Sequence, residues 1–136
     1  MAATILIVED SRVVRSIIRD AMEKDGNRVL EAGNGYEALA VLQKEEPHLV
    51  ITDIIMPELD GLTLIAEIRK IPRHAEMPIL VVSTESPERM KNWGKEKGVT
   101  GWLVKPFHPE RIREVVQHTL RLHEKTVDRS LATSGS

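Results

Sequence analysis

Five positions in this 136-residue sequence carry side chains whose joint chemistry is specific: the adjacent acids Glu9 and Asp10, the separate acid Asp53, the hydroxyl of Ser83 and the amine of Lys105. Three carboxylates drawn to one place repel and raise one another's pKa. A hard divalent cation removes that cost, and all-oxygen ligation with room for water favours Mg²⁺ over a zinc-type site. With no Cys in the chain, a thiolate metal site, a cysteine nucleophile and a disulfide framework are excluded. His48, His74, His108, His118 and His123 are scattered without ligand spacing on a helix face, so they read as solvated imidazoles. A metal-bound aspartate beside a hydroxyl and a lysine suits phosphoryl transfer. Asp53 would attack phosphorus to give an acyl phosphate, the cation would neutralise the transferring group, and Ser83 and Lys105 would each hold a phosphoryl oxygen. Each residue alone has an ordinary explanation. Glu9 or Asp10 could be a helix N-cap before Val13, Lys105 a solvated lysine, Ser83 a strand-end hydroxyl, and Asp53-x-x-x-Pro57 a turn. Only their joint placement calls for chemistry.

That placement depends on the elements. Short aliphatic runs alternate with segments of helical period. Ile5–Val8 precedes a helix with Val14, Ile17, Ile18, Ala21 and Met22 on one face, stopped by Gly26. The weaker run Arg28–Ala32 leads through the turn Asn34-Gly35 to a helix carrying Leu39 and Leu42, ended near Pro47. Leu49–Ile51 is followed, after Pro57 and Gly61, by a helix with Leu64, Ile65 and Ile68. Ile79–Val82 leads to Ser86-Pro87, an N-cap followed by proline at the first helical position. Trp102–Val104 precedes a final helix from Pro109 through Ile112, Val115, Val116, Thr119 and Leu120. Near-continuous apolar strands require helices on both faces of a parallel sheet. The prediction is an α/β doubly wound (βα)5 fold with a five-stranded parallel sheet in the order 2-1-3-4-5, the weak Arg28–Ala32 run lying at an edge. Glu9-Asp10, Asp53, Ser83-Thr84 and Lys105 then all fall at carboxyl ends of strands, beside the switch in strand order where ligands bind. Residues 1–124 form the domain, and the change to "KTVDRSLATSGS" predicts a flexible tail over 125–136.

Composition narrows the partners. Nineteen Lys+Arg against 21 Asp+Glu leave a net charge of -2 with no basic block, which argues against nucleic-acid binding. No stretch has membrane-spanning length and the N-terminus lacks a signal pattern, so no membrane insertion and a cytoplasmic location are expected.

The segments "ILIVEDS", "VITDIIMPELDGLTL", "ILVVSTES" and "GWLVKPF" resemble the receiver domain of bacterial two-component response regulators, most of all the stand-alone chemotaxis regulators of the CheY type. The resemblance runs from about Thr4 to His123, nearly the whole chain. It implies that Asp53 is the phospho-acceptor, that Glu9 and Asp10 hold Mg²⁺ with Asp53, and that Ile55 contributes its backbone carbonyl. It implies that Ser83 moves toward the phosphoryl group, that Lys105 pairs with it, and that the bond from Lys105 to Pro106 is cis. Trp102 takes the switch-aromatic position. Three residues depart from the usual pattern: Thr84 where Ala or Gly is common, apolar Ile55, and Trp102 in place of Tyr or Phe. Ile55 and Glu85 would tune dephosphorylation.

On this resemblance the chain accepts a phosphoryl group from a histidine kinase or a histidine phosphotransfer protein. It is not a conventional enzyme but catalyses its own Mg²⁺-dependent phosphotransfer and slow autodephosphorylation. Phosphorylation would draw Ser83 inward and reposition Trp102. The helix after Ser86, thinly anchored by Met90 and Trp93, interrupted by Gly94 and polar at Lys91, Lys95 and Lys97, would respond. An output protein would read the surface of the fourth helix, fifth strand and fifth helix, in chemotaxis or a related system. A monomer is the default, with dimerisation on phosphorylation as the alternative state. A phosphorylation-independent interaction module and a receiver cut from a larger regulator are the competing readings. A dehalogenase-type phosphatase would want Asp-x-Asp after the first strand, and a nucleotide enzyme a glycine-rich loop; the chain has neither there.

Overall fold

Strands apolar on both faces must be covered on both faces, and the computed structural model shows that arrangement. It describes the backbone of residues 2–85 and 98–134 and side chains as far as His123. Five parallel strands, β1 (Thr4–Val8), β2 (Arg28–Ala32), β3 (Leu49–Thr52), β4 (Ile79–Ser83) and β5 (Gly101–Val104), lie in the order β2-β1-β3-β4-β5, as expected. Helices α1 (Arg12–Lys24), α2 (Gly35–Lys44) and α3 (Gly61–Lys70), a 3₁₀ turn at Pro72–His74 and a C-terminal helix (Pro109–Ser134) complete the described elements. The helix predicted from Ser86-Pro87, with Met90, Lys91, Trp93, Gly94, Lys95 and Lys97, lies outside the described residues.

The two-residue period of each strand divides the core. Leu6, Val8, Val50, Ile79 and Val81 face Leu42 of α2 and Leu64, Ile65 and Ile68 of α3. Ile5, Ile7, Leu49, Ile51, Leu80 and Val82 face Ile18 and Met22 of α1 and Ile112 and Val116 of the C-terminal helix. The four residues of β3 and the five of β4 are all buried, whereas β2 and β5 each expose residues, as edge strands do. Each fully buried Ile or Leu contributes about 1.5–3 kcal/mol, so the central strands dominate the stability of the sheet.

Helix starts are set by side chains. Ser11 accepts from Val14 N, Asn34 from Glu37 N and Asp60 from Thr63 N. Ser11, rather than Glu9 or Asp10, therefore caps α1, and both acids are released from that duty. Gly26, at φ 82°, ends α1 in the left-handed region. At the other end of the chain the helical backbone runs on to Ser134, past Glu124 where the sequence places the start of a tail. No Pro or Gly interrupts the chain between Glu110 and Ser134, and Gly135 follows at once.

Two contacts position the site-bearing elements. Gly61 N donates to Ile54 O at 2.7 Å, and a Cβ at Gly61 would collide with the backbone of Asp53 and Ile54. A glycine is therefore what lets α3 start directly against the residue that follows β3. On the opposite face Asp25, at the end of α1, accepts from Arg113 Nη2 at 2.6 Å, Arg113 Nε at 3.1 Å and Gln117 Nε2 at 2.9 Å. The hydrogen bonds from Arg113 hold the Asp25 carboxyl below the usual carboxylate range.

Gly61→Ala should cost about 1–3 kcal/mol in urea unfolding, the range for forcing a methyl group into a filled space. A loss under a few tenths would show that α3 can shift freely. Asp25→Asn should lower Tm by a few degrees near pH 7. Because the folded pKa of Asp25 is depressed, its contribution is complete above the unfolded carboxylate value and disappears as pH falls through the folded value. Thermal melts from pH 7 to pH 2.5 should therefore show the two proteins converging in acid; a constant difference would refute the ion-pair account.

Candidate functional site

The carboxyl ends of β1, β3, β4 and β5 bring the sequence-predicted residues together. Glu9 directly follows β1 and is 2% exposed, with its N–H donating to Ala32 O at 3.0 Å. Asp53 directly follows β3, and its N–H donates to Val8 O at 3.1 Å. Its carboxylate is fixed from two sides. Oδ1 accepts from Ile54 N at 2.6 Å and Ile55 N at 3.3 Å, while Oδ2 accepts from Lys105 Nζ at 2.8 Å. Lys105 Nζ also reaches Glu9 Oε1 at 3.1 Å and Oε2 at 3.3 Å, bridging the two buried acids. The lysine is itself placed by strand pairing, since Lys105 N donates to Ser83 O at 2.7 Å. The peptide bond that follows it, Lys105–Pro106, is cis.

Asp10 is exposed beside this pair, and one oxygen each from Glu9, Asp10 and Asp53 lie within 4.8 Å of one another. Among the described residues this is the one such group of three. Burial, with repulsion from Asp53, outweighs the help of Lys105 and pushes the Glu9 carboxyl up to about 7. For Lys105, burial alone would lower the pKa, but its hydrogen bonds to Asp53 and Glu9 prevail and raise it. A buried acid beside two further carboxylates is electrostatically short of positive charge. Hard oxygen donors within reach of one octahedral ion, with an exposed edge for water, fit Mg²⁺.

The remaining expected residues surround this cluster. Ser83 is fully buried, and its Oγ accepts from Glu85 N at 3.1 Å. Thr84 is exposed. Trp102 is half-buried against the α2/α3 side of the core and donates from Nε1 to Glu85 O at 2.9 Å. The carbonyl of Glu85 thus links the Ser83 segment to β5. Ile55 is 60% exposed, so its side chain stands at the rim and not in the core.

His48, His108 and His118 are exposed, as expected of solvated imidazoles, and His74 is the exception. His48, His74 and His123 line one cavity of about 600 Å³ at the opposite pole, with Glu46, Arg73 and Glu76. His74 is 3% exposed, and burial lowers its pKa. It belongs to the 3₁₀ turn between α3 and β4. His108 is exposed but not idle: its Nδ1 accepts from Glu110 N at the start of the C-terminal helix.

One contributor has no sequence signal of its own. Arg15, in the second turn of α1, donates from Nη1 to the backbone carbonyl of Glu9 at 2.6 Å and from Nε to Glu31 at 3.1 Å. Nothing about an arginine one turn after Ser11 announces a contact with the end of β1.

Comparison with known proteins agrees with this geometry. The response regulator receiver domain family matches residues 5–117. Protein PilH of Pseudomonas aeruginosa is 34% identical over 118 residues, 87% of this chain and 98% of its own. The chemotaxis protein CheY of Bacillus subtilis is 37% identical over 121 residues, 88% of this chain and 99% of its own. Among solved structures, the chemotaxis response regulator CheY4 of Vibrio cholerae superposes with a TM-score of 0.83 at 38% identity, covering 88% of this chain and 99% of that one. Other relatives are longer, and the chain spans 54% of one of them. Since the matched span begins in β1, ends in the C-terminal helix and takes in every strand end that contributes to the acidic cluster, the chain belongs to the response regulator receiver domain family and is CheY-like.

Proposed function

We propose that this protein is a phosphorylation-activated signalling module in which Asp53 accepts a phosphoryl group from the phosphohistidine of a histidine kinase or histidine phosphotransfer protein. The observation that carries this reading is the Lys105 bridge between buried Glu9 and Asp53, with Asp10 alongside. Oδ1 of Asp53 is held by two backbone N–H groups, which orients the carboxylate and leaves Oδ2 to attack. The P–N bond of the donor breaks as an Asp53 O–P bond forms, and the histidine leaves with the electron pair. Lys105, already on Oδ2, can follow the negative charge onto the phosphoryl oxygens. Mg²⁺, held by Glu9, Asp10, Asp53 and the carbonyl of Ile55, supplies charge neutralisation of the transferring group. Water later cleaves the acyl phosphate, with Ile55 and Glu85 at the rim of its approach.

The switch in this reading starts at Ser83. Its hydroxyl leaves Glu85 N for a phosphoryl oxygen, the Glu85 carbonyl shifts, and Trp102 loses or changes its partner. Thr84, exposed next to Ser83, sets the space for that movement. An output protein then reads the surface around β5 and the neighbouring helices, in chemotaxis or a related cytoplasmic system. The resting protein is a monomer in this scheme, and dimerisation on phosphorylation is its alternative output. The longer relatives support a second arrangement, in which the same site serves as the receiver of a larger regulator.

Acetyl phosphate with Mg²⁺ should add one phosphoryl group to the wild type, read by intact mass, and none to Asp53→Asn. Mass gain in both proteins, or in neither with any phosphodonor, would refute Asp53 as acceptor and favour a phosphorylation-independent interaction module. In a Trp93→Phe background, phosphorylation should change the fluorescence of Trp102. Ser83→Ala should still be phosphorylated yet lose that change; an unaltered response would refute the coupling.

A further inference from the structure

The described residues outside the acidic cluster offer a histidine-lined cavity, an Asp25–Arg113 tie and a half-buried arginine near the end of α3. None is as closely joined to the chemistry as Arg15. We infer that Arg15 is a positioning residue for the cation site, because its guanidinium donates to the backbone carbonyl of Glu9 while Glu31 locks it in place. This inference rests on the reading that Glu9, Asp10 and Asp53 hold Mg²⁺.

The carbonyl of Glu9 lies in the peptide plane that joins Glu9 to Asp10. Fixing that oxygen fixes the plane, and with it the direction in which Asp10 leaves the end of β1. The Glu9 unit is held on both sides: its N–H donates to Ala32 O at 3.0 Å and its carbonyl accepts from Arg15 Nη1 at 2.6 Å. Arg15 is not free to swing away. Its side chain is 18% exposed, and Nε donates to Glu31 Oε1 at 3.1 Å. Glu31 is built into β2 opposite Ile7, and its other oxygen accepts from Arg19 Nη1 at 2.9 Å. The chain of contacts therefore runs from a strand of the sheet, through a carboxylate and a guanidinium, to the peptide between the two acids. Asp10 is exposed and lies beyond any strand, so its carboxylate depends on this backbone restraint for its direction. The planar guanidinium presents Nε to Glu31 and Nη1 to the Glu9 carbonyl in one rigid geometry, so holding the first fixes the direction of the second.

The alternative is an ordinary ion pair between α1 and β2 that contributes only to stability. Electrostatics separates the two. Removing a positive charge near an acidic cluster strengthens its attraction for a divalent cation. Losing the orientation of Asp10 weakens binding. A fall in Mg²⁺ affinity on removal of Arg15 is therefore opposite in sign to the charge effect and reports positioning.

Mg²⁺ affinity of the whole chain, without phosphodonor, is to be measured by titration calorimetry, with Tm recorded for each protein. Arg15→Ala should weaken Mg²⁺ binding about tenfold, the lower range for outer-shell partners of metal ligands. Arg19→Ala removes the same charge from the same carboxylate without touching Glu9, and should leave the affinity within about twofold of the wild type or tighten it. Arg15→Met removes the donors and the charge while keeping most of the side-chain length; it should also weaken binding, against the sign of the charge effect, and it replaces Arg15→Ala if that variant does not fold. Unchanged or tighter Mg²⁺ binding in folded Arg15→Ala or Arg15→Met, or equal weakening in Arg19→Ala, would overturn the inference. A wild type that binds no Mg²⁺ would overturn the metal-dependent reading together with it, whereas wild-type binding with unaffected variants overturns the positioning role alone.

Discussion

Two acids buried at the ends of adjacent parallel strands set the terms for the rest of this molecule. Glu9 and Asp53 follow β1 and β3, which pair directly, so their carboxylates are brought together by the sheet itself. Burial disfavours both charges, and each disfavours the other. The Lys105 ammonium, at 2.8 Å from Asp53 and 3.1 Å from Glu9, supplies one positive charge to that arrangement. With Asp10 added, negative charge exceeds what a single lysine neutralises. A region with that imbalance is suited to a cation and to an anion that arrives with it, which is what phosphoryl transfer brings.

The surroundings hold this cluster in a fixed shape. Asp53 receives two backbone N–H groups, Gly61 lets α3 begin against its backbone, and strand pairing places Lys105 beside Ser83. The acidic loop is restrained by Ala32 on one side and Arg15 on the other. Such preorganisation lowers the cost of gathering charge at the moment of reaction. Ser83 and Trp102 are joined through the Glu85 segment, so a change at the acid cluster has a short path to the β5 surface.

Much of this was legible along the chain. The aliphatic runs marked the strands because burial on both faces leaves no room for polar alternation, and the weak Arg28–Ala32 run marked an edge for the same reason. Glu9, Asp10, Asp53, Ser83 and Lys105 were visible because each stands where an apolar run stops. Other details were settled only in the folded chain. Ser11 caps α1 although Asp10 is an equally good capping type. His74, in the turn before β4, is buried although its residue type reads as solvated. The helical backbone passes Glu124 because nothing in the chain stops it before Gly135.

The sequence by itself determined the kind of fold and the residues available for chemistry, because hydrophobic period and strand-end polarity are local properties. Only the tertiary structure decided which charges meet. Lys105 reaches across to Glu9, and Arg15 to the carbonyl that orients Asp10, through contacts whose partners are chosen by strand order and helix packing. Electrostatic interactions act through space, and their sign and size at a site depend on burial and distance. Neither quantity is written in the residue types alone.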